Sequence, residues 1–249
     1  MGKVGGSNPP GSTMSETGMI EMMTGFGARE RGEREGGLGV VIVQGMADLK
    51  ELGNEIMAGF VDSGATVYDP GWHQKDGVDR DLEMMLSEFG QMVEVAGENG
   101  KPVVVVGVSA GAGLALLYKL RNPEANILHL YSASGVLDPN INSNNVYDIR
   151  MWRVLCEGHP AFTDMVNELS ARLGEKGATE KHGLRDWVTV LTSGGVDGTV
   201  PKATLEPEWA KVERVGNSNH VGTVITALGA IIGPRIRELK QGLISGGFE

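Results

Sequence analysis

Pro102-Val103-Val104-Val105-Val106-Gly107-Val108-Ser109-Ala110-Gly111 is the stretch on which the reading of the fold turns. Four consecutive valines are β-branched and apolar on both faces of an extended chain, as a strand covered on both sides requires. Gly107 breaks that run, and from Ala110 the chain takes up helical spacing through Leu114-Ala115-Leu116-Leu117-Tyr118-Lys119-Leu120. A buried strand, a tight turn and a helix, in that order, make one half of a βαβ unit.

The same alternation continues on either side. Upstream, residues 39–44 form a short β-branched run, and Asp48 stands three residues before Glu51 as a capping box. Leu49, Leu52, Ile56 and Phe60 follow at helical spacing until Gly64 closes the helix. Residues 65–69 read as a second strand. Beyond a loop holding Pro70, Gly71 and Asp76-Gly77, a helical stripe comprises Leu82, Met85, Leu86, Phe89, Met92, Val93 and Ala96. Downstream of the valine strand, residues 126–132, 187–193 and 210–215 read as further strands, and 221–241 as a closing helix that Pro234 would kink. Strands alternating with helices predict an α/β protein with a mostly parallel, doubly wound sheet.

Two regions depart from this rhythm. Residues 1–37 are rich in Gly, Ser, Met and Glu and include the charged run Arg29-Glu30-Arg31-Gly32-Glu33-Arg34-Glu35. They are expected to be a flexible or irregular arm ahead of one domain spanning 38–249. Between Ser134 and Asp186 the alternation lapses, and helical patterns over 147–155 and 162–173 suggest a small helical lid within 137–186. An ordinary crossover helix with a long loop fits the same residues.

The 249 residues carry a net charge of −10, which disfavours nucleic acid and anionic membranes as partners. Cys156 is the single cysteine, so neither an internal disulfide nor a cysteine-based zinc site is expected. His129, His159 and His182 have no metal-ligand spacing. The string Asp138-Pro139-Asn140-Ile141-Asn142-Ser143-Asn144 lacks the glycine and glutamate of a calcium loop. No metal or cofactor is expected. Neither a secretory leader nor an apolar run long enough to span a bilayer is seen, so the expected location is cytoplasmic, without stable membrane anchoring.

The chemistry centres on Gly107-Val108-Ser109-Ala110-Gly111, a G-x-S-x-G set between strand and helix. A serine hydroxyl needs a base, an acid to orient that base, and donors for the oxyanion. The helix that starts at Ala110 aims its unpaired N–H groups at developing negative charge. A phosphate loop is the competing reading of these glycines, but neither G-x-x-x-x-G-K-[ST] nor G-x-G-x-x-G is present. Asp197 follows the strand at 187–193, and His220 follows the strand that ends at Val215. Each stands at a strand end, in the order serine, acid, histidine.

From about Leu38 to Gln241 the chain resembles the α/β-hydrolase fold family. The resemblance rests on the elbow at Ser109, the stretch Asp197-Gly198-Thr199-Val200-Pro201 and His220 ahead of the last helix. It implies a triad of Ser109, Asp197 and His220, with an oxyanion hole made by the backbone N–H groups of Ala110 and Met46. Some relatives take their acid from the position of Asp138, which is therefore the alternative acid. Where the family commonly has His-Gly after the first central strand, this chain has Gln44-Gly45-Met46. The antiparallel strand pair with which relatives usually begin has only residues 19–23 as a candidate here. Trp72, His73, Trp152 and Phe162 are candidates to line the substrate. The expected activity is hydrolysis of a small-molecule carboxylic ester through an acyl-serine. A thioesterase or acyltransferase with the same triad, or a non-catalytic ligand-binding member, are the alternatives.

Overall fold

A computed structural model of the chain describes residues 37–46, 60, 64–72, 80–137, 158–175, 177–193, 206–216 and 218–244. All of them fall in one unit of the chain, Gly36–Glu249. The expected arm at 1–37, save Gly37, and the first expected lid helix at 147–155 lie outside the described residues. So does most of the helix expected after Asp48, although Gly64 has the positive φ, 82°, of a residue just past a helix end.

Among the described residues, six strands form the sheet: β1 (Gly39–Val43), β2 (Thr66–Tyr68), β3 (Val103–Val108), β4 (Ile127–Ala133), β5 (Val188–Thr192) and β6 (Lys211–Arg214). Every pairing is parallel, in the order β2-β1-β3-β4-β5-β6. The chain thus builds outward in one direction from β1 to β2 and in the other from β3 onward. That reversal opens a crevice at the carboxyl ends of β1 and β3, where ligands of open α/β sheets sit. β3 runs two residues further than the valines alone suggest, because Gly107 is still paired, to Val43 on one side and Ser132 on the other.

Period-two alternation divides the strand residues between two helical layers. Val40, Ile42, Val104, Val106, Val108, Tyr131, Ala133 and Leu191 join one apolar cluster with Val224, Ala227, Leu228, Ile232 and Ile236 of the C-terminal helices. The opposite face is covered by α1 (Leu82–Ala96) and α2 (Ala110–Arg121) together with α3 (Pro160–Leu173), which packs on both of them. The predicted stripe of α1 is the buried one, with Leu82, Met85, Leu86, Phe89, Met92 and Val93 all inside. Asp81 starts that helix by accepting the Met84 N–H at 2.8 Å.

α3 takes up the second of the two helical patterns in 137–186. Phe162, Met165 and Leu169 are fully enclosed, and the helix packs against α1 and α2. Two single-turn helices, α4 (Ala178–Lys181) and α5 (Leu184–Trp187), then lead into β5. Arg121 ties the layer together at its surface. Its guanidinium meets both oxygens of Glu168 on α3 and, at 2.8 Å, Glu83 on α1, while Arg172 holds Glu168 at 2.7 Å. The fork-to-carboxylate geometry makes this more than a pair of loose surface charges.

The last helical stretch comprises α6 (His220–Thr226), a π-helical segment (Ala227–Ile232) and α7 (Gly233–Ile244). Pro234, where a kink is expected, stands at the junction of the last two. The wider π turns precede a residue that has no N–H to donate. Among the described residues, no helix is long and apolar enough to cross a membrane.

Leu169 lies at the centre of the α1–α2–α3 layer with none of its surface exposed. Leu169→Ala should lower unfolding free energy by about 2–5 kcal/mol, whereas Met84→Ala, on the solvent side of α1, should change it by no more than about 0.5 kcal/mol. Urea titrations followed by circular dichroism, compared at constant m-value, would check both.

Candidate active site

β3 ends and α2 begins on a single residue, Ser109, whose φ of 51° and ψ of −122° are rare for a side chain with a Cβ. Such a conformation costs on the order of 1–3 kcal/mol and persists only where neighbours enforce it. Here both main-chain groups of Ser109 are held. Its N–H donates to the Ala133 carbonyl at 3.1 Å, and its carbonyl accepts from Ala112 at 3.2 Å and Val136 at 3.1 Å. The side chain is left half-buried, and it does not cap the helix that it precedes. Among the described residues its hydroxyl has no hydrogen-bond partner, His220 included.

Two glycines permit this turn by close approach. A Cβ on Gly111 would lie 2.4 Å from the Val43 carbonyl oxygen and 2.6 Å from that of Gln44, so the first turn of α2 rests directly on the end of β1. A Cβ on Gly45 would lie 2.7 Å from both the Ser109 Cβ and the Val108 carbonyl oxygen. The loop after β1 is therefore pressed against the serine, which brings the Gln44-Gly45-Met46 segment and the start of α2 to one place. Met46 is half-buried and Ala110 is fully covered.

The end of β1 is fixed from its other side. Gln44 donates its N–H to the Tyr68 carbonyl at 2.9 Å, and its own carbonyl accepts the Trp72 indole N–H at 3.1 Å. Trp72 packs edge-on against Phe162 with centroids 6.1 Å apart, and the His159 Nδ1 lies 3.1 Å from the Trp72 carbonyl oxygen. The two candidate lining residues within the described set are thus interior here, Trp72 at 4% and Phe162 at 0% exposure, with the indole N–H committed to the backbone.

His220 is the first residue of α6, at the same carboxyl edge of the sheet, and is 9% exposed. Its backbone position is set by a well-formed helix start. Asn219 accepts the Gly222 N–H at 2.9 Å, and the Thr223 hydroxyl donates to the carbonyls of Asn219 and Ser218 at 2.9 and 3.2 Å. The preceding turn is anchored by the Val215 N–H on the Thr192 carbonyl at 2.8 Å. Asp197, Asp138, His73 and Trp152 lie outside the described residues.

One feature of this edge has no counterpart in the sequence reading. The hydroxyls of Ser132, Ser134 and Ser193 are buried at the carboxyl ends of β4 and β5 without a hydrogen-bond partner among the described residues. Each such group costs on the order of 1–3 kcal/mol. Ser134 also has a positive φ, 47°, with its N–H on the Leu191 carbonyl at 2.9 Å. The run Ser132-Ala133-Ser134-Gly135, small and polar at a strand end like the elbow itself, was the available signal. Among the described residues, no group of three or more His, Cys, Asp or Glu side chains could hold a metal ion.

No family model matches the chain, and no curated protein matches it in sequence. Solved structures do match in fold. Lip1 of Acinetobacter baumannii AYE, a suspected lipase, superposes with a TM-score of 0.54 at 12% identity, over 97% of this chain and 100% of that one. A structure from work on LipS and LipT, two metagenome-derived lipolytic enzymes, gives 0.55 at 13% identity over 82% and 93%. Est1E from Butyrivibrio proteoclasticus gives 0.51 at 14% identity over 84% and 88%. The chain has the α/β-hydrolase fold.

Adding a methyl group at Gly45 forces backbone apart, so Gly45→Ala should destabilise the protein by about 1–3 kcal/mol. Gly158→Ala, where a Cβ would meet nothing within 4 Å, should stay within about 0.5 kcal/mol of wild type. Thermal and urea unfolding of the two variants side by side would check the contrast.

Proposed function

We propose that this protein is a serine hydrolase that cleaves a small-molecule carboxylic ester, with Ser109 as nucleophile. The observation that carries the reading is the strained backbone of Ser109 at the point where the strand order reverses, with a side chain that does not cap the helix it precedes. Structural strain maintained at a crevice by three backbone hydrogen bonds marks a residue whose exact presentation matters. The names given to the structures of the same fold, lipolytic enzymes and a suspected lipase among them, favour the same class.

In this mechanism the Ser109 Oγ attacks the ester carbonyl carbon while His220 takes the hydroxyl proton. Negative charge gathers on the carbonyl oxygen and is met by the N–H groups of Ala110 and Met46. Those donors suit the task because one opens α2 and the other follows the Gly45 contact with Ser109. The tetrahedral intermediate collapses with loss of the alcohol, which takes the proton from His220. Water, deprotonated by His220, then attacks the acyl carbon and frees the acid and Ser109. Asp197 orients His220 and balances its charge during both steps.

A panel of p-nitrophenyl esters of increasing chain length tests the proposal. Ser109→Ala should lower kcat on the order of 10⁶-fold, and Asp197→Asn on the order of 10⁴-fold, while Asp138→Asn turns over as wild type does. Wild type and Ser109→Ala hydrolysing every ester at the same background rate would sink the enzymatic reading. A large loss in Asp138→Asn with none in Asp197→Asn would move the acid. A fluorophosphonate should label wild type and leave Ser109→Ala unlabelled.

A further inference from the structure

At the opposite end of the sheet from Ser109, the apolar strand face turns polar. The register sets Tyr131 of β4 beside Thr189 of β5, and Thr189 beside Lys211 of β6, in one row across three strands. His129 lies two residues before Tyr131 and so on the same face. Arg235 of α7 and Arg185 and Asp186 of α5 close the space, a cavity of about 380 Å³ open to solvent. Thr189 and Lys211 stand within the first two residues of β5 and β6, whereas Ser109 follows the last residue of β3, so this cavity lies toward the amino ends of the strands.

Its walls hold three cations in a chain whose net charge is −10. Glu213 engages Arg235 with both oxygens, at 2.7 and 3.3 Å, and Lys211 at 3.0 Å. Arg185 has no carboxylate partner among the described residues. Asp186 is the carboxylate of the lining, and Glu238 lies near Arg235 and Tyr131. The neutral donors are the Tyr131 hydroxyl and the His129–Thr189 pair, whose Nε2 and Oγ1 are 3.0 Å apart. The rings of His129 and Tyr131 stand next to each other, with centroids 4.6 Å apart and planes inclined at 56°, and give the cavity an aromatic wall.

We propose that this cavity binds a phosphate group, carried by inorganic phosphate or by the phosphomonoester of a small organic alcohol. A tetrahedral dianion has acceptor oxygens enough for Lys211, Arg185 and Arg235 together with the neutral donors, and guanidinium groups match it with paired N–H bonds. The volume exceeds what a bare phosphate fills and falls within the range of small-molecule pockets, leaving the aromatic wall for an organic part. The empty site carries a signature of its cations. Burial, and after it the charges of Lys211 and Arg235, push the His129 imidazole down to about 4. It is therefore neutral near pH 7. A bound dianion offsets those charges and raises the His129 pKa.

The test is binding of inorganic phosphate and of phenyl phosphate to the full chain at constant ionic strength, by calorimetry and by NMR titration of the histidine rings. Wild type should bind at least one of the two saturably, and the His129 titration should move upward from about 4. Arg185→Ala/Lys211→Ala, which alters two solvent-exposed side chains, should keep the wild-type melting temperature and weaken binding at least tenfold. Tighter binding of phenyl phosphate assigns the organic part to the aromatic wall, and equal binding assigns the site to phosphate alone. Binding that never saturates, binding equal in the double variant, or an unmoved His129 titration would each overturn the proposal. Ester turnover is independent of this outcome, because neither substituted residue lies at the carboxyl edge of the sheet.

Discussion

The close contact between the first turn of α2 and the end of β1 governs the geometry of the whole carboxyl edge. Gly111 lies against two carbonyl oxygens with no room for a methyl group, and Gly45 lies equally close to Ser109. A helix that starts so near a neighbouring strand must leave β3 through a sharp turn, and that turn places Ser109 at positive φ. The rest follows from keeping this contact closed. Val136 and Ala133 hold the serine backbone, Trp72 and Tyr68 hold Gln44, and α3 backs the indole with Phe162. Relaxing any of these would let β1 and α2 drift apart and return Ser109 to an ordinary conformation.

The strands and their sequence of appearance were legible because each depends on local pattern. Runs such as Val103-Val104-Val105-Val106 and Val188–Thr192 can be satisfied only inside a sheet covered on both faces. The stripe of α1 was legible for the same reason, at helical period. Ser109 could be read because glycine, serine and the flanking elements lie within a few residues of each other. What escaped was set by contacts across the chain. Trp72 reads as a candidate to line the substrate, and nothing in its local sequence shows that its indole donates to the Gln44 carbonyl twenty-eight positions away. Phe162 belongs to a pattern that suits a lid or a crossover equally, and its helix packs against α1 and α2. The row of Tyr131, Thr189 and Lys211 exists only through register, which no stretch of sequence displays by itself.

The two ends of the sheet use polarity in different ways. At the carboxyl edge the polar groups are small hydroxyls, three of them buried without partners among the described residues, around a strained serine. At the amino edge they are long cations whose charges are partly balanced by Glu213. The apolar rows of β3 to β5 lie between the two.

The π-helical segment before Pro234 has a consequence for phase. The residues that the last helical stretch buries include His220, Val224, Leu228, Ile232 and Ile236, spaced every four positions. In a continuous α-helix each step of four overshoots a full turn by about 40°, and over sixteen residues such a stripe would wind roughly halfway round the rod. Turns that take more residues give back part of that rotation. Thr223 and Ala227 are buried beside the first of these residues, as ordinary α-helical spacing allows, and the underwound middle of the helix keeps Leu228, Ile232 and Ile236 on a common side of it.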